Sequence, residues 1–184
     1  MQWDGINELL STITEQTGSP CVLAGGAVRD HLLFRSPRDY DIFLLSDTVH
    51  TPDLGLTAIS DDEDVPTYAD SIADFTILCQ YRSPSGIPIQ VIRHNSLNSV
   101  DALLDYFDWN VCQFAFGVEM GVVKRMNENS IARGTLRLSN LDRASESPLT
   151  TLRRGFRFVE RYKMTMYRED LLLLCESIME LSNV

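Results

Sequence analysis

Apolar residues recur every three to four positions in five stretches of the chain. They are Ile6, Leu9, Leu10 and Ile13 in WDGINELLSTITEQTG, Val28, Leu32 and Leu33 in AVRDHLLF, and Val100, Leu103, Leu104 and Phe107 in SVDALLDYF, followed by LTTLRRGFRFVERYKM and REDLLLLCESIMEL. This spacing lines apolar side chains along one helical face, so five helices are predicted, the first stopped by Gly18 and Pro20. Between them lie short runs rich in β-branched and aromatic residues: CVLAG at 21–25, DYDIFLLS at 39–46, DFTILCQY at 74–81 and IPIQVIRH at 87–94. These predict strands, the last two joined as a hairpin through RSPSG, with VEMGVVKRM as one more short strand. Residues 47–70, broken by Pro52, Gly55 and Pro66, read as loops around a short helix. The predicted fold is α+β, a small mixed sheet flanked by helices over 1–140 and a short helical neck over 141–184.

Composition narrows this picture. At 184 residues and 44% hydrophobic, the chain suffices for one packed domain with an appendix. No run approaches the roughly 20 apolar residues of a membrane span, and the N-terminus carries acids where a signal peptide needs bases. A cytoplasmic protein without membrane contact is expected. Cys21, Cys79, Cys112 and Cys175 lie singly in apolar runs, as reduced core residues do. His31, His50 and His94 are dispersed, and DDED at 61–64 lacks the spacing of a calcium loop. Trp109 and Phe114 are expected to pack in the core.

The net charge of −10 argues against nucleic acid only as an average. Residues 1–123 hold 5 Lys/Arg against 18 Asp/Glu, whereas 124–168 hold 11 against 4, so an acidic body of −13 precedes a basic segment of +7. That polarity predicts two jobs for the two parts.

The chemistry concentrates in LAGGAVRD at 23–30 and DYDIFLL at 39–45. Residues two apart on a strand share a face about 6–7 Å apart, so Asp39 and Asp41 point the same way. Two adjacent carboxylates repel each other and call for a positive partner, for which a hard cation is the natural choice. The alternative is a pair facing solvent on an edge strand. Upstream, Gly25 and Gly26 let backbone N–H groups at a helix start approach a phosphate, with Arg29 one turn inside.

Together these residues resemble the GGxVRD…DxD signature of the head domain of class II CCA-adding enzymes and bacterial poly(A) polymerases, in the DNA polymerase β nucleotidyltransferase superfamily. The resemblance extends from about Val22 to Tyr162: IQVIRH is similar to vEvttlR, FDWNVCQFAFG to RRDFTINAL, SIARGTLRLS to DLxxGxiR, and SPLTTLRRGFRFVERY to the EDPLRxLRaxRFaxR neck helix. It implies a polymerase β-like head. It also implies that Asp39 and Asp41 are catalytic and hold Mg²⁺ (or Mn²⁺), which aligns an NTP and activates an RNA 3′-hydroxyl for attack on the α-phosphorus. Gly25, Gly26 and Arg29 match the triphosphate turn, Asp30 would orient it, and Asp108, Arg154 and Arg157 would complete nucleotide binding.

Several positions depart from the pattern. Gln90 stands where the family commonly has a third carboxylate, and Asp74 is a candidate replacement. Tyr106 and Phe107 replace the RRD arginines, Cys112 an asparagine, and Ser147 and Thr150 the base-selecting Asp and Arg. CCA synthesis and complete tRNA repair are therefore not expected, the more so as the chain ends near Val184.

Arg154, Arg157 and Arg161 fall on one helical stripe and Leu152, Phe156 and Val159 on another, predicting a charged face opposite a packed one. Arg153, Arg161 and Lys163 are the acceptor-binding candidates, with an RNA or tRNA 3′ end as acceptor. The other readings are a solvated face or a docking site for a protein partner. The leading expectation is a divergent nucleotidyltransferase. Its rivals are a degenerate binding or inhibitor protein, and a transferase acting on protein or small-molecule acceptors.

Overall fold

The computed structural model describes residues 3–46, 50–59, 75–126, 131 and 134–182. The five helices predicted from apolar periodicity all form. α1 (Trp3–Thr17) buries Ile6, Leu10 and Ile13 against the sheet core, as their spacing requires. α2 (Gly26–Leu32) follows β1 (Cys21–Ala24) through the glycine turn and leads to β2 (Tyr40–Leu44). β4 (Phe75–Arg82) and β5 (Pro88–His94) form the predicted hairpin, and α3 (Val100–Tyr106) starts at Ser99, whose side chain accepts from the Ala102 N–H.

The sheet has seven strands in the order β3-β4-β5-β2-β1-β6-β7, with β3 at Thr57–Ala58, β6 at Phe114–Gly117 and β7 at Gly121–Lys124. It is mixed: β2 runs parallel to β5 and antiparallel to β1. β1 and β2 are buried along their whole length, which is why they read as near-continuous apolar runs. Asp41 is the exception on β2, set opposite Ala24 on one side and Gln90 on the other.

Other elements were not predicted. β6 sits in the apolar CQFAFG segment and extends the sheet beyond β1. α4 (Leu141–Glu146) is a short helix capped by the Asn140 side chain, and β8 (Thr135–Leu136) pairs in parallel with β9 (Thr165–Met166). In the stretch predicted as loops and a short helix, β3 forms, while residues 47–49 and 60–74 lie outside the described residues, as do Asp74 and the DDED run. Among the described residues no helix is long and apolar enough to cross a membrane. Cys21 and Cys112 are buried, Cys79 and Cys175 half-buried, and all four are free thiols.

α5 (Pro148–Tyr162) and α6 (Arg168–Leu181) pack on each other, and Leu174 of α6 is fully buried. The inward face of α5 differs from the predicted one. Thr151, Gly155 and Tyr162 are buried, whereas Phe156 is 53% exposed. The reason is Trp109, fully buried, whose indole N–H donates to the Thr151 carbonyl at 3.1 Å. Phe114 is buried likewise. A Cβ at Gly155 would lie 2.6 Å from Trp109 Cζ2 and 2.7 Å from Met166 Cε, so only glycine admits the ring. Gly155→Ala is expected to destabilise the protein by about 1–3 kcal/mol despite alanine's higher helix propensity. Urea denaturation checks this: an unchanged or raised midpoint would contradict the close approach.

Candidate active site

β2 delivers Asp41 into the interior at 6% exposure, with its Oδ1 lacking any hydrogen-bond partner among the described residues. Burial and then the neighbouring Asp39 carboxylate push its pKa well up, against the pull of the Arg154 guanidinium. Asp39, half-buried just before the strand, is also shifted upward. Burial dominates there, Asp30 adds to it, and Arg38, Arg29 and Arg161 oppose it. In both carboxylates burial outweighs the nearby arginines. That is the environment in which a hard cation would be stabilised, so the pair fits Mg²⁺ or Mn²⁺. Among the described residues no group of three or more His, Cys, Asp or Glu side chains converges. Two carboxylates then suit a cation that completes its shell with water and phosphate oxygens.

The glycine turn lies beside this pair. Ala24 is opposite Asp41 in the antiparallel register, so Gly25 and Gly26 run past the level of Tyr40 and Asp39. Gly25 adopts φ 77°, a conformation that favours glycine, and its N–H donates to the Phe114 carbonyl at 2.7 Å. Sheet pairing thereby fixes the turn.

Arg29 lies behind the turn, only 4% exposed. Its Nε donates to Asp30 Oδ1 and its Nη1 to the Val111 carbonyl, both at 3.1 Å, while its guanidinium sits 4.6 Å from the Tyr162 ring centroid and 5.3 Å from that of Phe158. Asp30 Oδ1 also accepts from the Tyr162 hydroxyl, and Asp30 Oδ2 from Arg161 Nη2 at 2.7 Å. The turn is therefore bolted to the last turn of α5. The VRD sequence signalled the Arg29–Asp30 pair. Nothing local signalled Tyr162, whose role comes from the fold.

Two arginines of the predicted stripe point inward. Arg154 Nη1 pairs with Asp108 Oδ2 at 3.1 Å and its Nη2 reaches Cys112 Sγ at 3.7 Å; Arg161 pairs with Asp30. Arg153, Arg157 and Lys163 are exposed. The structure thus gathers Gly25, Gly26, Arg29, Asp39, Asp41, Asp108, Arg154 and Arg161 into one neighbourhood and leaves the other three on its outside. Ser147 ends α4 and precedes α5, and Thr150 is exposed.

No family model and no curated protein matches this chain. Solved structures match it in shape. A Thermotoga maritima CCA-adding enzyme complexed with tRNA superposes with a TM-score of 0.68 at 17% identity, over 96% of this chain and 42% of that one. A CCA-adding enzyme complexed with ATP gives 0.70 at 17% identity, over 100% and 44%. The Bacillus stearothermophilus CCA-adding enzyme in complex with CTP gives 0.65 at 17%, over 93% and 42%. The chain spans less than half the length of these proteins, and the fold it shares with them is a nucleotidyltransferase fold like that of the CCA-adding enzyme head.

Proposed function

We propose, from the premise of a CCA-adding-enzyme-like head, that this chain transfers a nucleoside monophosphate from an NTP to an acceptor hydroxyl, with an RNA 3′ end as the first candidate. The observation that carries the reading is Asp41, a buried carboxylate with an unpartnered oxygen, aligned with Asp39 beside the Gly25–Gly26 turn. Asp39 and Asp41 would hold Mg²⁺ or Mn²⁺, which would supply charge neutralisation on the triphosphate and a more acidic acceptor hydroxyl. Gly25 and Gly26 give the phosphates close access to backbone. Arg29 and Asp30 keep that turn rigid from behind, so the N–H groups that follow Gly25, whose own N–H is held by Phe114, need no rearrangement when the phosphates arrive. Arg154 would contact the nucleotide, and Arg153, Arg157 and Lys163 would offer exposed charge to an acceptor backbone.

Thermal melting with Mn²⁺ plus each NTP tests the binding half. The native protein is expected to gain stability with the pair of ligands, and Asp39→Asn/Asp41→Asn to lose that response; equal gains in both would contradict the reading. A second reading, nucleotide binding without turnover, draws on Gln90, a neutral side chain opposite Asp41. It has the same melting behaviour but no transfer.

A further inference from the structure

Phe34 stands where a phenylalanine costs the fold twice. Its N–H donates to the His31 carbonyl at 3.1 Å and the Arg35 N–H to the Asp30 carbonyl at 2.8 Å, the two bonds that close a helix through a left-handed residue. Glycine is the usual occupant of that position. Phe34 takes it at φ 55° and leaves its side chain 99% exposed, so the backbone is strained and an aromatic ring is left in water. A singly exposed apolar residue is ordinary; one that also strains its backbone points to a use.

The loop that carries the ring is fixed. Arg35 Nη1 donates to the Arg161 carbonyl at 3.2 Å and its guanidinium lies 5.2 Å from the Tyr162 ring centroid, while Arg161 Nη2 donates to the Ser36 carbonyl at 3.4 Å. Phe34 is thereby presented beside the end of α5. Five residues further on the chain reaches Asp39, so the ring lies at most about 18 Å from the carboxylate pair. The surroundings are basic. Of the five Lys/Arg in residues 1–123, three fall at Arg29, Arg35 and Arg38, the last two exposed. Arg157 and Lys163 are exposed on and just beyond the end of α5 that Arg35 touches, with Glu160 the acid between them.

We infer that Phe34 is a stacking platform for an unpaired base of a single-stranded nucleic acid, whose phosphates track Arg35, Arg38, Arg157 and Lys163 on the way to Asp39 and Asp41. This rests on the reading of Asp39 and Asp41 as the transfer site, and it makes the acceptor a single strand. An aromatic face accepts any base, and a rim of cations follows the backbone regardless of sequence. A protein partner would call for apolar surface around the ring, where Arg35, Ser36 and Arg38 stand instead.

Fluorescence anisotropy of two labelled strands tests this on the full chain: a short mixed-sequence oligoribonucleotide, and an abasic strand of the same length. Phe34→Ala is expected to weaken the oligoribonucleotide roughly tenfold and to leave the abasic strand unchanged, with Phe34→Tyr near the native affinity. Phe34→Gly, which relieves the backbone, is expected to lose the same affinity while melting at or above the native temperature. Equal effects of Phe34→Ala on the two strands, or no effect on either, would overturn the stacking role. If the native chain binds neither strand yet gains thermal stability from Mn²⁺ with an NTP, the single-strand acceptor is overturned and the transfer site stands. If it responds to neither, both readings fall. A native dimer that Phe34→Ala turns into a monomer in sedimentation would assign the ring to a protein interface and overturn the proposal as well.

Discussion

Replacing Asp41 by Asn is expected to raise the melting temperature of the metal-free protein at neutral pH, and at the same time to remove its response to Mn²⁺ and abolish transfer. The carboxylate is buried and under-compensated, so its ionised form is destabilised in the folded state. Because its folded-state pKa lies above the ordinary 3.8, the folded protein holds the proton longer than the unfolded chain. The stabilisation from that proton is complete below the ordinary value and is lost as pH rises through the raised one. Asn mimics the protonated acid in size and charge. It should therefore add about 1–3 kcal/mol at pH 7 and flatten the decline of stability with pH above 4. Transfer should fall on the order of 10³-fold or more, since an amide cannot supply the charge a hard cation needs. Melting curves from pH 4 to 8, with and without Mn²⁺, check both halves. A variant less stable than the native chain at pH 7 would mean that Asp41 is already compensated.

Asp30→Ala carries the opposite expectation, a loss of about 3–5 kcal/mol. Asp30 is 2% exposed and accepts from three groups at once: Arg29, Tyr162 and Arg161. Alanine would leave the Arg29 guanidinium, itself 4% exposed, without its anion in the interior. A loss of that size is a large fraction of the roughly 5–15 kcal/mol by which domains are stable. Tyr162→Phe, which removes one donor and keeps the ring over Arg29, is expected to lose only about 1 kcal/mol. Urea midpoints order the two variants, and equal midpoints would contradict a network centred on Asp30.

What could be read in the chain and what could not divides along physical lines. The β1–α2–β2 unit was legible because its signals are local: an apolar run, a glycine pair, helical spacing, then a β-branched run holding two aspartates. The β4–β5 hairpin was legible for the same reason, with its turn residues between two strands. β8 and β9 were not, because two-residue strands exist only through a partner thirty residues away. The inward face of α5 was misjudged at Phe156. Counting large apolar residues assumes that size marks the packed face, whereas here Trp109 supplies the bulk and α5 the hollow, through Gly155 and Thr151. The arginine stripe was visible, but its division into anchored Arg154 and Arg161 and exposed Arg157 depends on Asp108 and Asp30, which lie 46 and 131 positions away in sequence. The site's two carboxylates could be found from spacing; the charges that face them could not.

The most direct test of the account is transfer itself: each of the four α-³²P-labelled NTPs incubated with total RNA, tRNA or soluble protein in Mg²⁺ or Mn²⁺, beside an Asp39→Ala/Asp41→Ala protein. The account predicts ribonuclease-sensitive label from at least one NTP with the native chain and none with the double variant. Label absent from every pool, or equal in the two proteins, would contradict a nucleotidyltransferase acting through Asp39 and Asp41.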